Sequence, residues 1–119
     1  MILNYTKENA ALLLGGTSVT VPTYFMLGSG SGTALPTQTT LNNPFDRQAM
    51  TSRDTSDTYK IKWQGDWNAM EVSGNSFSEF GMTISGAGTT GSMWSRTTLP
   101  SIAFDGTNEL QIQEIWEVF

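Results

Sequence analysis

The chain has 119 residues, of which 38% are apolar and only 14% charged, and it carries a net charge of −5 at pH 7. That is enough apolar side chain for one core, and the acidic balance disfavours general attraction to nucleic acid or anionic lipid. Cysteine and histidine are both absent, which excludes thiol catalysis, thiolate metal sites, disulfide frameworks and the usual acid–base and zinc-binding side chain.

No run approaches the ~20 apolar residues of a helical membrane span, so neither a membrane nor a nucleic acid is expected as a partner. Charged residues fall well below the usual quarter or so, and Ser, Thr, Gly and Asn take their place. Neutral polar side chains with many glycines suit a β-rich domain that sets much of its surface against other protein.

In chain order, residues 1–14 predict a short helix. Asn4 or Thr6 is placed to cap it, with Glu8 in the first turn, and Gly15-Gly16 stops it. Residues 1–16 thus form an arm or short helix ahead of a single β domain, residues 17–119. The arm reads either as a packing segment or as a hydrophobic arm that docks on a neighbouring subunit through Leu12, Leu13 and Leu14. No basic region followed by an apolar block opens the chain, and the apolar run at 10–14 is too short for a signal-peptide core. Maturation in the cytoplasm is therefore expected, and the glycosylation sequon Asn4-Tyr5-Thr6 is taken as a chance match.

Residues 17–27 are β-branched and aromatic. Pro22 cannot donate a ladder hydrogen bond, so this strand lies at an edge, is bulged, or begins after it. Gly28-Ser29-Gly30-Ser31-Gly32-Thr33 follows. A phosphate-binding loop is not supported there: no Gly-Lys-Ser/Thr follows, the G-x-G-x-x-G spacing fails at Thr33, and no helical pattern starts. A flexible turn is expected.

Residues 34–58 are the least regular stretch, with turns at Pro36 and at Asn42-Asn43-Pro44. Leu41, Phe45 and Met50 are expected under a sheet, while Asp46-Arg47 and Arg53-Asp54 read as solvated pairs. Residues 58–67 give the clearest strand, with Tyr59, Ile61 and Trp63 on one face and Lys60, Lys62 and Gln64 on the other. Gly65-Asp66 breaks it, and an apolar pattern resumes at Trp67, Met70 and Val72.

Residues 71–100 organise the rest. Two alternating segments, 76–85 and 92–98, flank Gly86-Ala87-Gly88-Thr89-Thr90-Gly91, which is a hairpin signal. Asp105-Gly106 marks a further turn. Residues 109–119 close the chain with Leu110, Ile112, Trp116 and Val118 on one face, interrupted by Glu114, and with Ile115 and Phe119 on the other. Seven or eight short strands between such turns predict an all-β fold, an antiparallel β-sandwich or jelly roll with a short N-terminal helix or arm.

Carboxylates are the plausible catalytic equipment. Asp66 with Glu71, or Glu79 with Asp105, has the residue types for acid–base glycoside cleavage, but no spacing demands it and no enzyme is expected. Glu79 lies among Phe77, Phe80 and Met82, and its best reading is a salt bridge or backbone acceptor inside the sandwich, a structural polar pair with Arg96 across the hairpin, since a lone buried carboxylate is costly.

Trp63, Trp67, Trp94 and Trp116 have the chemistry of a sugar-stacking platform. Three of them fall on expected strands, so core or subunit-interface packing is preferred. Trp67, Trp116 and Phe119 accordingly join the three leucines as interface candidates. The loop Asp54-Thr55-Ser56-Asp57 lacks the alternating ligands of a calcium motif. No cofactor or metal is expected.

The order of these segments resembles a known group. Residues 27–33 read Leu-Gly-Ser-Gly-Ser-Gly-Thr, then Pro36 and Leu41 lead to Arg47, and an aromatic strand occupies 58–67. Glu79-Phe80-Gly81 and a Gly-Thr-rich turn follow, and Trp94-Ser95-Arg96 precedes Leu99-Pro100-Ser101-Ile102. The end is Glu109-Leu110-Gln111-Ile112-Gln113-Glu114-Ile115-Trp116. This resembles the small virion structural proteins of tailed bacteriophages, encoded among tail, fibre, collar and head-decoration genes. In that group a G-x-G-T turn, an E-x-G segment, an x-x-R strand and an L-x-I-x-W C-terminal strand recur in this order.

The resemblance implies a β-sandwich subunit repeated on a particle: a non-enzymatic decoration or connector protein on capsid or tail. Its partners would be copies of itself and other virion proteins, and its place the virion assembled in the host cytoplasm. The alternative it leaves is a carbohydrate- or receptor-binding module at a tail-fibre tip, with a host-surface glycan as partner.

Overall fold

Seven strands form two antiparallel sheets in the computed structural model, which describes residues 1–84 and 93–117. Sheet I has the order β2 (Pro44–Ala49), β1 (Tyr24–Gly28), β5 (Ser76–Thr83), β6 (Thr97–Ala103). Sheet II has the order β3 (Ser52–Asp54), β4 (Lys60–Trp67), β7 (Leu110–Glu117). Two helices complete the fold, α1 (Asn4–Leu14) and the single turn α2 (Ala69–Val72). The architecture is the all-β sandwich that the sequence predicts.

The chain changes sheets in the short step between β2 and β3. Met50 N–H donates to Thr23 O (2.9 Å) on the side of sheet I, and the next residue, Thr51, donates its N–H to Gln64 O (2.8 Å) in sheet II. The two sheets then close on a shared core. Phe25, Leu27, Phe77 and Met82 come from sheet I and Trp63, Trp67 and Ile112 from sheet II, with Val72, Trp94 and Phe104 filling the ends. Gly65 leaves room for the opposite layer, since a Cβ there would lie 2.6 Å from Phe25 Cδ2.

Sheet I is covered on its other face as well. Side chains alternate along a strand, so Phe25 and Leu27 face sheet II while Met26, between them, faces away. Met26 packs there with Leu3, Leu41 and Met93 in a second, smaller core. A bulge between Phe77 and Glu79 shifts the alternation of β5. Phe77 and Phe80 therefore both reach the main core, stacked with centroids 6.1 Å apart, while Glu79 turns to the outer face. The residues that lie over that face are the N-terminal arm and the long connection from Gly28 to Pro44.

Several expectations change. β5 has its antiparallel neighbour after the glycine-rich patch: Thr83 bridges to Met93, Trp94 N–H donates to Met82 O (2.7 Å), and the regular strand, β6, begins at Thr97 and runs on to Ala103. Residues 94–96 also hold the N-terminus: Leu3 N–H donates to Trp94 O and Arg96 N–H to Met1 O, each at 3.0 Å. Residues 85–92, including the turn itself, lie outside the described residues. Pro100 is accommodated because β6 is an edge strand.

No strand forms over residues 17–23, and β1 starts after Pro22. Neither Asn4 nor Thr6 caps α1. The N-cap is Leu3, fully buried and without a side-chain cap, and Glu8 lies beyond the first turn. Thr6 Oγ1 instead donates to Trp94 O (2.6 Å), so a tertiary bond takes the hydroxyl. Gly15 and Gly16 do stop the helix, Gly16 with φ 89. Tyr59 adopts φ 67 and is 73% exposed, so the inward face of β4 begins at Ile61. The pattern Trp67, Met70, Val72 is helical: Asn68 and Glu71 form a reciprocal capping box, and Met70 points to solvent.

Candidate functional site

Glu79 is the most heavily bonded carboxylate of the described residues, and it holds the outer layer of sheet I together. Oε1 accepts from Asn42 N–H (2.9 Å) and from Arg96 Nε (3.0 Å). Oε2 accepts from Gly30 N–H (2.7 Å) and Asn43 N–H (2.8 Å). Both Glu79 and Arg96 are fully buried. Arg96 carries the network onward, donating to Gln38 Oε1 (3.2 Å) and to the carbonyls of Ser31 and Gly32 (3.4 Å each). Ser78 Oγ fixes Gly30 O at 2.7 Å.

The glycine-rich segment 28–33 is thus a carboxylate cradle. Its Gly30 amide and the amides of Asn42-Asn43 surround an anion supplied by the protein itself, and Arg96 neutralises that charge. A Cβ on Gly30 would run into Glu79 Oε2, and one on Gly28 would lie 2.6 Å from the same atom. Burial drives the Glu79 pKa upward, but the amides of Asn42 and Asn43, the Arg96 guanidinium and the Gly30 amide outweigh it and hold the carboxyl below its ordinary value. An anion that is buried, doubly bonded at each oxygen and paired has neither the access nor the proton affinity of a general acid.

The other carboxylates weighed for acid–base chemistry are also engaged. Asp66 accepts from Thr51, Gln64 and Gln111 side chains, which lower its pKa in that first place through Thr51. Glu71 is tied into the α2 capping box. Asp105 accepts from the Thr107 hydroxyl and amide, which lower its pKa. Asp54 takes the Ser56 amide, and no group of three acidic residues among the described ones is placed to hold a metal. The Asp46 carboxylate binds Trp67 Nε1 (3.0 Å) rather than its neighbour Arg47.

A second polar point lies on the inner face of β7. Glu114 points between the sheets, where it accepts from Ser95 Oγ (3.1 Å) and Trp116 Nε1 (2.7 Å). Burial pushes its pKa up, and these two donors with the nearby N-terminal ammonium only partly offset that. Around it Trp116 meets Trp63 edge-on (5.0 Å) and lies tilted against Trp94 (6.4 Å). The indole N–H groups of Trp63 and Trp94 are buried with no acceptor among the described residues.

The structure brings Glu79 and Arg96 into direct contact and leaves Leu12, Leu13 and Leu14 on the surface, 47%, 46% and 91% exposed. Trp67 is a correction: only 2% exposed, it is a core residue with its indole N–H bound inside, and it presents no surface to a neighbour. Trp116 is half-buried, and Phe119 lies outside the described residues. Sequence reading missed Asn42, Asn43 and Gly30 as ligands of Glu79, because backbone donors leave no residue-type signal. Glu114 did leave one, as the break in an apolar alternation.

Fold and site together define a β-sandwich with a buried ionic node and an exposed apolar arm. No protein-family model, no curated protein and no solved structure matches the chain.

Proposed function

We propose that this chain is a non-enzymatic structural subunit of a tailed-bacteriophage particle. In this reading it decorates or connects on capsid or tail, and packs through its N-terminal arm against copies of itself and neighbouring virion proteins. One observation carries the reading. Of the ten large hydrophobic residues exposed among the described ones, five lie in the first fourteen residues: Met1, Ile2, Leu12, Leu13 and Leu14. The arm is anchored to the sandwich by the bonds of Leu3 N–H and Thr6 Oγ1 to Trp94 O, so its exposed apolar residues sit on a fixed base. Exposed apolar side chains concentrated in one arm favour burial against protein, and repetition on a symmetric particle multiplies weak contacts.

The order of motifs shared with small virion proteins gives the particle its identity in this proposal, and the engagement of each candidate carboxylate supports the non-enzymatic role. The glycan-binding alternative has less support. Trp63, Trp67 and Trp94 are buried, and the indole N–H of Trp116 is given to Glu114.

Size-exclusion chromatography with light scattering tests the arm. The wild type is expected to associate, and Leu13→Asp with Leu14→Asp to lower the mass without changing the circular dichroism spectrum. Cryo-EM of the intact phage particle tests the place. A monomer at all concentrations, absent from any particle, overturns the reading.

A further inference from the structure

Among the described residues the sandwich has four edge strands, and three of them are blunted against further pairing. β2 begins with a proline, carries Arg47 and adjoins a register shift at Leu27/Gly28. β6 contains Pro100 and adjoins the bulge at Phe77/Glu79. β3 is three residues long. These are the devices by which sheets avoid edge-to-edge association.

β7 has no proline, no bulge and no basic residue, and its two charges are Glu114, which is turned inward and hydrogen-bonded there, and Glu117 at its end. It runs for eight residues, Leu110-Gln111-Ile112-Gln113-Glu114-Ile115-Trp116-Glu117, without Pro, Gly, Lys or Arg. Its register with β4 is unbroken from Lys60↔Glu117 to Trp67↔Leu110. On its other side the backbone groups meet no partner among the described residues. Ile115 stands 56% exposed on the outer face of this strand, at the rim of a depression lined by Asp54, Asp57, Lys60 and Lys62.

We infer that β7 pairs antiparallel with β7 of a second copy, about a two-fold axis at Ile115, joining two three-stranded sheets into one of six. The register follows from side-chain chemistry. Residues facing each other across the seam must share a face of the sheet, so opposed positions differ by an even number. Centring the axis on Gln113 sets Glu109 against Glu117 of the second copy twice, and centring it on Glu114 sets that carboxylate against itself. Like charges directly opposed are destabilising. Centring on Ile112 leaves Ile115 facing Glu109.

Centring on Ile115 packs the two isoleucines against each other and sets Gln113 opposite Glu117 on both sides. Gln113 Nε2 already donates one hydrogen to Gln64 Oε1 (3.0 Å). Its second hydrogen is then available to the Glu117 carboxylate of the second copy. The seam has an apolar centre flanked by two equivalent polar bonds, which is the self-complementarity that a two-fold interface requires.

The chain has no cysteine, so single substitutions report the register directly. Under mild oxidation Ile115→Cys is expected to cross-link to a dimer, while Gln113→Cys and Gln111→Cys remain monomeric on non-reducing gels. Opposed Cα atoms in such a pair fall within disulfide reach. Ile115→Lys is expected to halve the mass of the two-fold unit in light scattering, with the spectrum of the fold retained because the residue is exposed. Cross-linking at Gln113→Cys in place of Ile115→Cys, or none at all, overturns the proposal. The result is separable from the arm: Leu13→Asp with Leu14→Asp leaves the Ile115→Cys cross-link intact, and loss of that cross-link in this variant likewise counts against an independent β7 seam.

Discussion

Arg96 and Glu79 show how one ion pair can be necessary without being a net source of stability. Burying two charges costs several kcal/mol each, which the pair and its hydrogen bonds roughly offset. Removing one partner is different, because it strands the other. Arg96→Met leaves a buried carboxylate without its counter-charge and is expected to cost about 3–5 kcal/mol. The double variant Glu79→Gln, Arg96→Met is expected to recover part of that loss, since no charge remains to be desolvated. Urea denaturation of the two single variants and the double one measures this. Additive losses would mean that the two side chains act independently.

Among the elements, the connection from Gly28 to Pro44 behaves as a layer of the fold although it contains no strand. It is pinned by Glu79 and Arg96, and further bonds run from Asn43 Nδ2 to Ser29 Oγ (2.6 Å) and from Ser29 N–H to Asn43 O (2.9 Å). Pro36 O accepts from Asn4 N–H (2.7 Å), which couples the connection to α1. Leu41, 2% exposed, is its apolar anchor against Met26, Leu3 and Met93. Leu41→Ala is therefore expected to cost about 2–5 kcal/mol, as in a main core. A loss within about 0.5 kcal/mol, the range of ordinary surface changes, would show that the layer is not integral.

Across the whole molecule, a buried glutamate, Glu79, and a half-buried one, Glu114, set opposite slopes of stability with pH. The Glu79 pKa is lowered by folding, so its contribution is present above the unfolded value and is lost as pH falls through the folded one. The Glu114 pKa is raised, so its contribution is present below the unfolded value and is lost as pH rises through the folded one. The denaturation midpoint should flatten on the acid side in Glu79→Gln. It should flatten just above the ordinary carboxylate range in Glu114→Gln, where stability no longer falls as the carboxyl ionises. Unchanged slopes in both variants would remove these two groups as the cause.

The sequence by itself determined the sandwich class, the inward face of Ile61 and Trp63, the glycine stop of α1 and the pairing type of Glu79 with Arg96. These follow from side-chain period, turn chemistry and the cost of a buried charge, all of which are local. The tertiary structure alone decided that the glycine-rich segment wraps a carboxylate, that residues 94–96 pair with Met1–Leu3 as well as lying along β5, that Trp67 is core, and that β7 keeps an unpaired edge among the described residues. Each of these depends on which backbone groups meet across long stretches of chain. Backbone amides are the same in every residue but proline, so their partners are written in the packing and not in the residue types.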